Sequence, residues 1–293
     1  MEIRSAGLKW PATWEANLVA ASVVLVAAVA AGMLGTAGLA LLLSIPQLLI
    51  VLPGAIWTLL RRYSFQQTLR LRPLEGRAAL WSALIGLACW PVIAAFATLL
   101  ERILSRIGPG PEIPLPATAL ESVVYVLVLV VVAPLTEEPI FRGFVMSAWL
   151  RRGMLPGLVV SAVLFACAHL QIAALVPIAL LGVAFGFLVI RTNSLMSSIL
   201  AHACYNLLGS VFIVIPSLRN PPDGPVLLAG ALALPVAAWL IWSFARRFPG
   251  QASAAPAEQS SRLWIALSLL PILLILLITV VGELYLRMNP AGL

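Results

Sequence analysis

The chain has 293 residues, of which 62% are hydrophobic and only 10% charged, and its mean hydropathy is +1.05. About a quarter of the residues in a soluble domain carry charge, so this composition excludes one and indicates a polytopic membrane protein. The net charge of +7 comes from arginines in the connections, with no basic stripe interleaved with aromatics, and so reads as membrane topology rather than nucleic-acid affinity.

Residues 1–16 form a short polar lead-in with Trp10 and Trp14 where an interfacial aromatic belt would begin. Hydrophobicity then continues unbroken to Leu60, which argues against a cleaved signal peptide. It is long enough for two spans, folded where Gly32, Gly35 and Gly38 supply a permissive backbone. A basic loop follows, carrying Arg61, Arg62, Arg70, Arg72 and Arg77. Further spans are predicted at about 78–100, 118–150, 155–171, 173–190, 194–215, 225–245 and 263–283, each near the roughly 20 residues that cross about 30 Å of hydrocarbon. The stretch 118–150 is either one long helix or a broken one. Segments of alternating polarity are missing, so the expected fold is an all-α transmembrane bundle of eight to nine spans and not a barrel.

Three units are expected. Residues 1–77 make an N-terminal hairpin and basic cytoplasmic loop, 78–216 a helical core, and 217–293 accessory spans joined by a flexible linker at 249–261. A cytoplasmic N-terminus puts Arg4, Lys9, the five loop arginines, Arg151, Arg152, Arg191, Arg246, Arg247 and Arg262 inside. It leaves only Arg102, Arg106, Arg219 and Arg287 outside, the asymmetry that favours this orientation. With Lys9 the only lysine and alanine abundant, usage suggests a GC-rich bacterial genome, hence a multi-pass inner-membrane protein. Cys89, Cys167 and Cys204 all lie in apolar segments, with no disulfide framework or CxxC motif.

Against this apolar background a few ionisable side chains stand out, and groups at membrane depth mark function by default. Glu137 and Glu138 are adjacent in VVVAPLTEEPIFRGF. Glu138 and Arg142 are four apart, so on a helix they share a face and neutralise each other, while Glu137 points about 100° away and is left for chemistry. Pro134 and Pro139 each remove a backbone donor, so the helix should bend here around a wet cavity. The only two histidines follow: His169 four residues after Phe165, and His202 four before Asn206. Counted from the expected cytoplasmic ends, His169 lies roughly 21 Å deep and His202 roughly 12 Å, with Glu137 also in the inner half. All can meet in one cavity open to the cytoplasm.

A metal is a second chemistry these types allow, because Glu137, His169 and His202 match the ligands of a catalytic zinc centre. Cys167 and Cys204, two residues from each histidine, diverge from it by about 200° on a helix and are not expected to join. The expected site holds no metal.

At these residues the chain resembles the CAAX protease and bacteriocin-processing family of intramembrane proteases, whose motifs are EExxxR, FxxxH and HxxxN or HxxxD. They stand here as Glu137-Glu138 with Arg142, Phe165 with His169, and His202 with Asn206, in order and on separate apolar segments within about 78–215. The resemblance implies peptide-bond hydrolysis in the membrane without a cofactor. It makes Glu137 the base that activates water, His169 the holder of that water, and His202 with Asn206 the oxyanion site, scaffolded by Glu138, Arg142 and Phe165. It also implies a membrane-tethered protein or peptide substrate: a prenylated C-terminal motif, a leader or anchor peptide, or a bacteriocin-linked target. Two other classes fit the buried charges. A proton-coupled transporter would need paired broken helices in related halves, and no internal repeat is visible. A non-catalytic scaffold or immunity protein would tolerate loss of Glu137.

Overall fold

The computed structural model describes residues 9–34, 38–111, 114–250 and 257–289. It is 81% helical with no strand among the described residues, the all-α bundle that the composition requires. The glycine turn at Gly35, the charge Arg4 and residues 251–256 of the 249–261 linker fall outside those residues.

The helices follow proline and cap chemistry closely. Helix α1 (Thr13–Leu34) is followed by α2 (Leu39–Leu49) and α3 (Val51–Arg61), which together form one apolar span broken at Ile50. Pro53, in the first turn of α3, lacks the N–H that would continue α2 without interruption. The one-turn helix α4 (Phe65–Thr68), capped by the Ser64 hydroxyl, lies in the basic loop. Helix α5 (Gly76–Leu104) is the longest uninterrupted helix.

The 118–150 stretch is a single helical rod with two wide turns. A Thr118/Glu121 capping box starts α6 (Ala119–Leu127), a π-turn covers Val128–Val132, α7 (Ala133–Glu138) carries the carboxylates, a second π-turn covers Pro139–Val145, and α8 (Met146–Trp149) completes it. In both wide turns an N–H reaches the carbonyl five residues back: Ala133 to Val128 and Met146 to Phe141. After Gly153, whose φ of +127° reverses the chain where a side chain would be strained, come α9 (Met154–Cys167) and α10 (Ile172–Thr192). The remaining helices are α11 (Met196–Val214), α12 (Asp223–Arg247) and α13 (Arg262–Met288).

Eight helices among the described residues are long and apolar enough to cross a membrane, at the lower end of the expected range. The segment expected as a span at 155–171 is the exception: α9 has only 14 residues and stops at Cys167. Leu170 then takes a left-handed φ of 52°, which ends the helix inside an apolar stretch that carries no glycine or proline to mark the stop.

Two apolar clusters flank the long rod. One joins α1 to Phe141, Phe144, Phe165 and Leu164. The other joins Ile85 and Cys89 of α5 to Phe185, Leu188, Ala201, Leu240 and Phe244. Helices α5 and α11 approach closely because Gly86 has no side chain: a Cβ there would lie 2.1 Å from the Ala201 carbonyl oxygen. That contact fixes the backbone beside His202.

The basic end of the bundle is stitched by polar contacts. Glu15, fully buried, accepts from the Tyr63 hydroxyl at 2.5 Å and pairs with Arg61 Nε at 2.7 Å. Burial and then the bond to Glu15 push the Tyr63 hydroxyl up to about 12. Arg70, also buried, donates to Asn193 Oδ1 at 3.0 Å, and burial beside Arg72 pulls its guanidinium down to about 10. The described part of the 249–261 stretch is held rather than loose. Glu258 accepts the Thr13 N–H at 2.9 Å and faces Arg152 Nε at 3.4 Å.

Candidate active site

The rod carrying Glu137 and Glu138 meets α11 at His202, and the α9 end brings His169 against the same Phe165 ring that His202 faces. Glu138 and Arg142 form the expected i,i+4 pair, Arg142 Nη1 donating to Glu138 Oε1 at 2.9 Å with both side chains fully buried. The guanidinium stacks on the Phe165 ring, 4.0 Å from its centroid, and lies 5.7 Å from that of Phe185. It therefore bridges the two apolar clusters, with its charge met by Glu138 and by two ring faces.

The same Glu138 oxygen also lies 2.8 Å from His202 Nδ1. A carboxylate only accepts, so we assign the proton to Nδ1, and the ring turns Nε2 toward Glu137 Oε2, 3.9 Å away. His169 is oriented the same way: its Nδ1 lies 2.9 Å from the Phe165 carbonyl oxygen, an acceptor, which again leaves Nε2 without a proton in the neutral ring. The Phe165 ring meets both imidazoles edge-on, with centroids 4.9 Å from His169 and 6.1 Å from His202. Phe165 is thus a spacer between Arg142 and the two histidines.

Glu137 is held differently. Its Oε1 accepts from Gln47 Nε2 at 2.6 Å, while its Oε2 has no hydrogen-bond partner among the described residues. The Gln47 amide also donates to Thr136 Oγ1 at 3.1 Å, and that hydroxyl donates to the Val132 carbonyl at 2.9 Å. Sequence reasoning missed Gln47. Its one signal is a lone amide in the apolar run ALLLSIPQLLIV, beside Pro46.

Asn206 is placed one helical turn beyond His202, and its Nδ2 donates to the Leu129 carbonyl at 2.6 Å. The cause is Pro134. With Ala133 N–H bonded to Val128, the next N–H would serve Leu129, but residue 134 is a proline and has none. Asn206 caps the orphaned carbonyl, which ties α11 to the first wide turn. Cys167 and Cys204 take part in no such contact. Among the described residues no three His, Cys, Asp or Glu side chains group closely enough to hold a metal ion.

Residues 119–208, from the start of α6 through His202 and Asn206, match the family model described as type II CAAX prenyl endopeptidase Rce1-like. This segment is similar to the CAAX protease family. All seven residues singled out from the sequence lie inside it. What this segment is similar to is a CAAX-type protease, and the match covers under a third of the chain. No curated protein and no solved structure matches it. Gln47 and Glu283, which bond to Glu137 and Ile172 within this segment, lie outside the matched residues.

Proposed function

We propose that the protein hydrolyses a peptide bond of a membrane-tethered protein or peptide by glutamate-activated water, with no metal. The observation that carries this reading is the unequal use of the two carboxylates. Glu138 is fully buried and neutralised by Arg142, with His202 on the same oxygen, whereas Glu137 is partly exposed, is held by the neutral Gln47 amide through one oxygen and turns the other toward His202.

In this reading Glu137 Oε2 takes a proton from water held by the His169 Nε2 lone pair, and the hydroxide adds to the scissile carbonyl. The tetrahedral oxyanion lies between His202 and Asn206 and accepts from the second N–H of the Asn206 amide. Glu137 then passes its proton to the leaving amine as the C–N bond breaks. Preorganised donors of this kind each contribute about 10²- to 10³-fold in rate. Both imidazoles are positioned through Nδ1 as zinc ligands often are, so the chelator arm of the test below separates the two chemistries.

A bacterial inner-membrane location with the N-terminus inside belongs to the same reading, supported by the arginine-rich end of the bundle. The test is detergent-purified protein incubated with a library of membrane peptides, with and without a chelator, read by mass spectrometry. Cleavage at one bond, insensitive to chelator and lost in Glu137→Gln, is the expected result. Chelator-sensitive cleavage would overturn the metal-free mechanism, and wild-type turnover by Glu137→Gln would overturn the base assignment.

A further inference from the structure

The last helix, outside the family segment, reaches the loop that carries His169. Glu283 of α13 accepts the Ile172 N–H at 2.8 Å through Oε2. Ile172 opens α10 just three residues beyond His169, across Leu170 with its left-handed φ of 52°. Glu283 is itself locked: its Oε1 accepts from Arg287 Nε at 3.0 Å and Nη2 at 2.8 Å. Arg287 in turn donates to both oxygens of Glu101 on α5, at 2.8 and 2.7 Å, and to the Gly108 carbonyl at 3.2 Å. Arg287 is 2% exposed and Glu283 8% exposed, so this pair is buried, with the more exposed Glu101 closing the network at its rim.

The α9–α10 connection needs such an anchor. His169 and Leu170 lie past the end of α9, held locally by N–H bonds to Ala166 and Cys167 carbonyls of 3.1 and 3.3 Å. The Ile172 N–H is a first-turn donor of α10 with no partner inside that helix, and its cap residue Gln171 supplies no side-chain bond. A carboxylate from a helix 111 positions away fills that place and fixes the exit of the loop. Beside it opens a cavity of about 830 Å³ lined by Gln171, Glu101, Glu283 and Arg287 among others, so without the anchor the loop has room to move.

We infer that Glu283, clamped by Arg287 and Glu101, is a positioning residue that holds the His169 loop in its catalytic geometry, making α13 part of the machinery. This rests on the proposed role of His169. The role is exerted through the backbone of Ile172, and Glu283 touches no reacting atom.

The test uses the full chain in nanodiscs and a peptide that it cleaves. Glu283→Ala is expected to lower kcat at least tenfold with KM within about twofold. Glu283→Gln keeps a carbonyl acceptor for Ile172 and is expected to recover most of that loss. Because Glu283→Ala leaves Arg287 partly unpaired, a second variant, Glu283→Leu with Arg287→Leu, removes both charges together and keeps the fold checkable by its Tm. It is expected to fold and to show the same kcat loss. The chain has only two histidines, so ¹⁵N-histidine spectra report the loop directly. In the double variant the His169 ring signals should shift or broaden while those of His202 hold still. A folded double variant with wild-type kcat and an unchanged His169 signal overturns the inference. Wild-type kcat in His169→Ala would instead overturn the role of His169, a distinguishable failure.

Discussion

Replacing Gln47 tests whether the N-terminal hairpin, outside the family segment, belongs to the site. Its amide makes a 2.6 Å bond to Glu137 Oε1, short for N–H···O and charge-assisted. Bonds to charged groups are worth about 1.5–3 kcal/mol, and about 1.4 kcal/mol is a factor of ten in rate. If Gln47 fixes Glu137 in its reacting rotamer, Gln47→Ala should lower kcat/KM by about 10- to 150-fold. Stability should barely change, because Gln47 is only partly buried and Thr136 keeps its own bond to the Val132 carbonyl. Gln47→Asn, one methylene short, should behave like alanine, and Gln47→Glu should be worse, since it replaces the donor with a second carboxylate facing Glu137. Initial rates on a cleavable membrane peptide, with Tm on the same preparations, decide the matter. Wild-type kcat/KM in folded Gln47→Ala would show that Glu137 is positioned without the hairpin.

Three further outcomes follow from the same geometry. Glu138→Gln strands the fully buried Arg142 charge and should destabilise the fold by about 3–5 kcal/mol, whereas Glu138→Met with Arg142→Met should recover much of that, read as denaturation midpoints. Asn206→Ala uncaps the Leu129 carbonyl, so a stability loss of about 1–3 kcal/mol should accompany a fall in kcat, two effects separable by Tm and initial rates. For Tyr63, held at about 12 against 10 in the unfolded chain, the folded state keeps a proton that the unfolded state releases. Its stabilisation is therefore complete below pH 10 and is lost as pH rises toward 12, so Tyr63→Phe should flatten the alkaline fall in Tm over that window.

Local spacing made half of the site legible. Four-residue separations placed Glu138 against Arg142 and Phe165 against His169, because a helix brings i and i+4 together whatever the tertiary fold. What spacing cannot carry is a contact between residues far apart. Gln47 meets Glu137 across 90 positions, and Glu283 meets Ile172 across 111, each through a polar group unremarkable in its own segment. The end of α9 was hidden for another reason. Composition across 155–171 is predominantly apolar, and the stop comes from a leucine in a left-handed conformation that a sequence flags only when glycine occupies it. Glu283 and Arg287 are legible as an i,i+4 pair, but their contacts with Ile172 and Glu101 come from the tertiary fold.

The prolines show how one local defect serves both fold and chemistry. A bend was expected from Pro134 and Pro139, and the rod instead widens into two π-turns that bracket α7, which carries the carboxylates. In an unbroken α-helix Glu137 and Glu138 would sit among satisfied backbone groups, with nothing polar drawn toward them. Pro134 instead leaves the Leu129 carbonyl in need of a donor, and Asn206 supplies it from α11. Because His202 lies one turn before Asn206 on that helix, the bond that repairs the backbone also sets the height at which His202 meets Glu138 and Glu137. A backbone without the proline would remove the reason for α11 to be pinned there. Pro134→Ala should therefore weaken catalysis even though, on helix propensity alone, it makes α7 more stable.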